Sequence, residues 1–281
     1  MRDSILMQNE LPKGKWLQGM DVLDVGCGGG IFAEVRSVTF LQIFEWFFAE
    51  SVKLRFAQSI ARLGANTLAI DASPSNVSVA QTHATLDPSL NLINSQIPRP
   101  SSLSSLSTPP TRGSLEYRHC AAEDLEQEGK QFDVVCAMEV IEHVEDPRGF
   151  LECLMNLTKV TSLPSSSLSS HRSLTNLPSF FQPGGHLLLS TISRTPLAKF
   201  LTITMAESVL RLVTPKTHTY HKYLKPCELQ EFFEEKGWWG METRGCIYDP
   251  IKGGWRLLGM GEYAGMGEMV NYFAGVRKPL Q

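Results

Sequence analysis

"VLDVGCGGGIFAE" covers residues 22–34, and its reading decides how the rest of the chain is understood. Val22, Leu23 and Val25 surround a single acid, Asp24, and the run then breaks into Gly26, Gly28, Gly29 and Gly30. That is a short buried strand feeding a glycine loop and the first turn of a helix. Glycine suits such a place because the backbone turns sharply and a ligand can approach it closely. A nicotinamide-binding loop of the form G-x-G-x-x-G needs its third glycine at position 31, where Ile31 stands, which argues against a dehydrogenase. A tight turn without a ligand is the plainer reading of the glycines taken alone.

Working outward, "NTLAIDAS" (66–73) is a second strand, closing on Asp71. "LEYRHCAAEDL" (115–125) is a third, "QFDVVCAMEVIEHV" (131–144) a fourth that turns into a helix, and "PGGHLLLSTIS" (183–193) a fifth. Helical stretches such as "SNVSVAQTHATL" and "DPRGFLECLMNLTK" lie between them. Apolar, β-branched strands alternating with helices predict an α/β fold with a parallel sheet covered on both faces. Near the end, "GCIYDP" and "NYFAGVRK" supply two strands with no clear helix between them, so an antiparallel pair is expected to finish the sheet.

An acid that closes the second strand and grips a ribose is expected about 20 positions after the glycine loop. Asp71 lies 45 positions after Gly26, and the gap becomes 21 when residues 35–58 are left out. We therefore read one domain over residues 1–281 with insertions at 35–58, 88–114 and 160–182. The second insertion is Ser/Pro-rich and reads as a surface loop. The first and third each begin with Val and end with Gln, and their lengths of 24 and 23 residues suit in-frame introns read through.

Composition removes several function classes. Hydrophobic residues make up 42% and charged residues 20%, ordinary for a globular domain, and a net charge of −3 leaves no basic footprint for nucleic acid. The six cysteines form no C-x-x-C pair, so reduced thiols are expected rather than a zinc site or a disulfide frame. No apolar run reaches the roughly 18 to 20 residues of a membrane span. The opening "MRDSILMQNELPKGKW" has the pattern of neither a signal nor a transit peptide.

With 35–58 removed, "LDVGCGGGIFAE" joins "SIARLGANTLAIDAS", and the chain resembles the S-adenosylmethionine-dependent methyltransferases of the seven-stranded Rossmann-like class. The glycine motif names only that broad class. "STISRTPLAKF" and "THTYHKYLKP" narrow the likeness to the ubiquinone-biosynthesis O-methyltransferases, and "YRHCAAEDL", "FDVVCAMEVIEHVEDP" and "NYFAGVRK" extend it over most of the chain. The resemblance implies a mostly parallel seven-stranded sheet with an antiparallel C-terminal strand. It implies transfer of a methyl group from S-adenosylmethionine to a catechol hydroxyl of a polyprenylated ubiquinone precursor. Asp24, Gly26, Gly28, Asp71, Glu123 and Met138 would then contact the cofactor, Gly26 against its methionine part, Asp71 on the ribose and Met138 lining the pocket. A ubiquinone-biosynthesis protein complex and peripheral residence on the matrix side of the mitochondrial inner membrane are also implied.

"MEVIEHV" places Glu139, Glu142 and His143 at i, i+3 and i+4. On a helix these share neighbouring faces, close to the carboxyl end of a strand, where open α/β sheets bind ligands. Methyl transfer needs the phenol deprotonated, either by a metal that lowers its pKa or by a histidine that takes the proton. The resemblance implies Mg²⁺ held by Glu139, Glu142 and His143, with Glu142 and His143 catalytic. The plainer alternative makes Glu142 a helix-terminal acid and His143 a packed, hydrogen-bonded ring.

Residues 194–226, "RTPLAKFLTITMAESVLRLVTPKTHTYHKYLKP", carry Leu197, Phe200, Leu201, Met205, Val209 and Leu212 at roughly helical spacing. Two readings stand open: a helix packed on the sheet, or a helix in a membrane interface covering the site. A second function of another class also stands open, a non-catalytic Rossmann-like subunit that scaffolds a biosynthetic complex.

Overall fold

In the computed structural model, the structure describes residues 17–28, 51–95, 97, 113–160, 184–209, 219–249, 254–258 and 266–279. Those up to Ala121 form one compact unit and those from Ala122 another.

The first unit is built on four parallel strands in the order β3-β4-β2-β1: β1 Asp21–Val25, β2 Asn66–Asp71, β3 Leu92–Ile93 and β4 Ser114–His119. β1 pairs with β2 from Asp21 opposite Asn66 to Val25 opposite Ile70, so both strands finish at the same edge. Helices α1 (Ser51–Arg62) and α2 (Pro74–Thr85) supply the crossovers that parallel pairing requires. Their small faces pack closely: Ala57, Ala61, Ala80 and Ala84 join Cys27, Ala69, Leu115 and Tyr117 in one core.

The second unit has the strand order β5-β6-β9-β7-β8: β5 Val134–Met138, β6 His186–Ile192, β7 Glu242–Asp249, β8 Gly254–Leu257 and β9 Asn271–Arg277. β5 and β6 are parallel, whereas β9 runs antiparallel to both β6 and β7, the finish expected from the tail. Every residue of β5 is buried, as a parallel strand covered on both faces should be. Helices α3 (Ala122–Gln127), α4 (Pro147–Leu157), α5 (Pro196–Lys199) and α6 (Pro226–Glu235) complete the unit. Asp146 starts α4 by accepting from the amides of Arg148 and Gly149 at 3.1 Å each, which answers two of the helix's orphan donors. Setting aside the short strands β3 and β8, seven strands remain among the described residues, the number the resemblance implies.

The expected insertion boundaries shift. Ser51–Gln58 is helical and continuous with "SIAR", and Ala57 and Gln58 are buried, so the end of the 35–58 stretch is part of the fold. The reason is amphipathic spacing: Ala57, Ile60 and Ala61 all face inward. In the 88–114 stretch, Leu90 is buried and Leu92–Ile93 pairs with Leu115–Glu116, so its first residues also belong to the sheet. Residues 35–50, 96, 98–112 and 161–182 lie outside the described residues. Among the described residues no helix is long and apolar enough to cross a membrane.

Candidate active site

The glycine loop of the first unit is fixed by two strands at once. Gly26 and Gly28 hold φ of 72° and 68°, left-handed values that a side chain disfavours. The amides of Gly26 and Cys27 both donate to the Ile70 carbonyl, at 2.8 and 3.0 Å. One residue further on, the Gly28 amide donates to Asp71 Oδ2 at 2.9 Å. Asp71 Oδ1 accepts from the Ser73 amide at 2.8 Å and from Asn76 Nδ2 at 3.1 Å. The carboxylate is thus nearly buried, oriented, and placed at the carboxyl end of β2, the position expected of a ribose acid. Asp24 is buried inside β1. Burial, then the Asp24 and Asp71 carboxylates, push the Cys27 thiol far above its ordinary range, so Cys27 is a packing residue and not a nucleophile.

In the second unit the expected helix does not continue from β5. The strand ends at Met138, Glu139 takes a positive φ of 54°, and residues 141–143 form a turn, with α4 beginning only at Pro147. The i, i+3, i+4 argument therefore fails, because it presumed helical geometry. Instead, two consecutive hydroxyls of β6 hold the two acids. Ser190 Oγ donates to Glu139 Oε1 at 2.8 Å, and Thr191 Oγ1 donates to Glu142 Oε2 at 2.9 Å. Asn271 Nδ2 also donates to Glu139 Oε2, at 3.4 Å. Successive strand residues point to opposite faces, so neighbouring hydroxyls draw their acids apart. His143 is exposed while Glu142 is buried. Among the described residues no group of three or more His, Cys, Asp and Glu is arranged to hold a metal ion, and the helical spacing expected to bring Glu139, Glu142 and His143 together does not form.

The other expected residues fall as follows. Met138 closes β5 opposite Ser190 and is largely buried. Glu123 lies in the first turn of α3 and is exposed, the third strand having ended at His119. The sequence reading missed Ser190, Thr191 and Asn271. The one available signal was a pair of adjacent hydroxyls closing an otherwise apolar strand.

Beyond β6, residues 196–209 are helical, with Pro196–Lys199 followed by a π-helix over Phe200–Val209. Ala198 and Thr202 are its buried residues, while Leu197 (42%) and Phe200 (51%) face outward. Of the six apolar positions read at helical spacing, Leu212 and the Val209 side chain lie outside what the structure describes. Thr202 Oγ1 and Tyr223 Oη share a hydrogen bond of 2.6 Å that seats this helix.

A family model described as a methyltransferase domain matches residues 9–249. The mitochondrial ubiquinone biosynthesis O-methyltransferase of Schizosaccharomyces pombe is 38% identical over 93% of this chain and 70% of its own length. The ubiquinone biosynthesis O-methyltransferase of Acinetobacter baylyi is 31% identical over 84% of this chain and 70% of its own length. The mitochondrial one of Homo sapiens is 30% identical over 91% of this chain, which spans about half (51%) of that longer relative. With that domain match over most of the chain and a 38% identical relative covered to 70%, on a mostly parallel sheet with antiparallel last strands, the chain belongs to the ubiquinone biosynthesis O-methyltransferase family of S-adenosylmethionine-dependent enzymes.

Proposed function

We propose that this chain transfers the methyl group of S-adenosylmethionine to a catechol hydroxyl of a polyprenylated ubiquinone precursor. The observation that carries the reading is the Gly28–Asp71 hydrogen bond in a chain of this family. It presents an oriented carboxylate at the end of β2, whose Oδ2 keeps a lone pair for a ribose hydroxyl. Asp24, Gly26 and Gly28 are assigned cofactor contacts beside Asp71, and the family resemblance assigns the same role to Glu123 and Met138.

The acceptor oxygen must lose its proton before it can attack the sulfonium methyl. His143 is assigned as the acceptor of that proton, with Glu142 setting the turn that carries it. Glu139, Glu142 and His143 would hold Mg²⁺, which would polarise the catechol oxygens; each acid accepts from a β6 hydroxyl through one oxygen, and no step is routed through the ion. The outward Leu197 and Phe200 support peripheral contact with a membrane that holds the polyprenyl tail. Mitochondrial residence and membership of a ubiquinone-biosynthesis complex belong to the same proposal, supported by the names of the eukaryotic relatives.

The test is calorimetric binding of S-adenosylmethionine, followed by transfer of labelled methyl to a short-tailed catechol with and without chelator. Binding and transfer are expected. No cofactor binding overturns the reading, and binding without transfer favours the scaffold role. Activity lost in chelator and restored by Mg²⁺ would support a role for the ion in the transfer.

A further inference from the structure

Tyr220–Lys222 forms a single 3₁₀ turn in "THTYHKYLKP", the stretch that marks the narrower family, and nothing in the site so far accounts for its lysine. Lys222 Nζ donates to the Val144 carbonyl at 3.1 Å and reaches the His143 carbonyl at 3.5 Å. These are backbone oxygens of the segment between β5 and α4, the segment that carries Glu142 and His143. A lysine offers three donors on a long stem and can hold two carbonyls from one point.

The anchor that carries Lys222 is itself firm. Tyr223 is buried and bonded to Thr202, the Leu224 amide donates to the Ile192 carbonyl at 3.2 Å, and Tyr272 Oη donates to the Leu224 carbonyl at 2.9 Å. Lys199 lies 5.3 Å above the Tyr220 ring, which ties the start of the outward-facing helix to the same anchor. Strand β6, strand β9 and the 196–209 helix therefore converge on one short segment, and Lys222 extends that fixed point to the turn.

We infer that Lys222 is a positioning residue, holding the 141–144 turn through its backbone carbonyls so that His143 meets the acceptor oxygen in a reactive pose. The inference rests on the methyltransferase reading for its kinetic consequence and on geometry alone for its structural one. Displacement of a reacting group by an ångström can cost about a hundredfold in rate.

The experiment compares the full chain with Lys222→Met, which keeps the stem and removes the donors, and with Lys222→Arg, which restores donors. Lys222→Met is expected to lower kcat on a short-tailed catechol about tenfold or more. The KM for S-adenosylmethionine should stay unchanged, and Lys222→Arg should recover most of the loss. Amide hydrogen exchange at residues 141–144 should accelerate in Lys222→Met while β5 keeps its protection. If the wild type transfers no methyl group, the functional reading fails, and the exchange measurement alone decides the clasp. Unchanged exchange at 141–144, or unchanged kcat in an active wild type, overturns the inference. Should Lys222→Met fail to fold, Lys222→Gln under the same two measurements takes its place.

Discussion

The amide of Gly28 donates to Asp71 Oδ2 across 2.9 Å, so the loop after β1 and the acid that closes β2 are a single hydrogen-bonded element. Forty-three positions of sequence separate these two residues, and the parallel register of β1 with β2 brings them together. Loop shape therefore depends on the same carboxylate that is proposed to meet the cofactor.

Asp71→Ala should weaken S-adenosylmethionine binding at least about tenfold, because charge-assisted hydrogen bonds contribute roughly 1.5–3 kcal/mol each. Asp71→Asn should fall between the two, since the amide oxygen still accepts but without charge. Titration calorimetry on the three proteins checks the order, and equal affinities would remove Asp71 from the site.

His143→Ala should lower methyl transfer by about 100-fold with cofactor affinity near that of wild type, in the range that positioned proton acceptors supply. Glu142→Gln should lower it as well, because Glu142 fixes the turn. Thr191→Val strips the buried carboxylate of its 2.9 Å donor and should cost about 1–3 kcal/mol in stability, read from urea unfolding. A His143→Ala enzyme with wild-type turnover would assign the proton elsewhere.

Leu197→Glu together with Phe200→Glu should abolish flotation with anionic lipid vesicles while sparing activity on a soluble catechol. Both side chains face outward, so the substitutions bury no charge. Loss of the folded state, followed by circular dichroism, would make these residues part of the core and end the interfacial reading.

Alkaline pH should destabilise the first unit. Burial is the main cause that raises the pKa of both Cys27 and Tyr117, so the folded chain holds these protons more tightly than the unfolded chain. The sign follows: their contribution is complete below the ordinary thiol value of 9.0 and is lost as pH climbs past it. Urea midpoints should fall from about pH 9 upward, with a shallower fall in Cys27→Ala. A flat profile would contradict the burial of these two groups.

Mature transcripts from the source should largely lack the bases for residues 35–58 and 160–182 if those stretches are retained introns. The helical Ser51–Gln58 segment must then be replaced in the core by "IFAE", which would restore a helix of similar length. Sequenced messages that all carry both stretches would make them true insertions.

Alternating strands and helices, the glycine loop, Asp71 and the antiparallel finish were legible because each is a local pattern: period, turn chemistry, or spacing between strand ends. The turn after β5 was not. "MEVIEHV" has helical spacing, but spacing states only what a helix would bring together. The left-handed Glu139 and the hydroxyls of Ser190 and Thr191 draw those side chains elsewhere. Lys222 was equally invisible, since its partners are backbone carbonyls nearly eighty positions away. Contacts to main-chain oxygen leave no residue-type signature in a sequence.

The π-helix over Phe200–Val209 has one further consequence, for chain length. Wider turns of this kind hold one residue more than an α-helix needs over the same rise, and they occur mostly as short bulges. Deleting a single residue there would let the turns tighten to ordinary α-helical bonding, whereas the same deletion in β6 would send every following side chain to the wrong face of the sheet. One-residue length differences between relatives should therefore collect within positions 200–209, where the backbone can take them up.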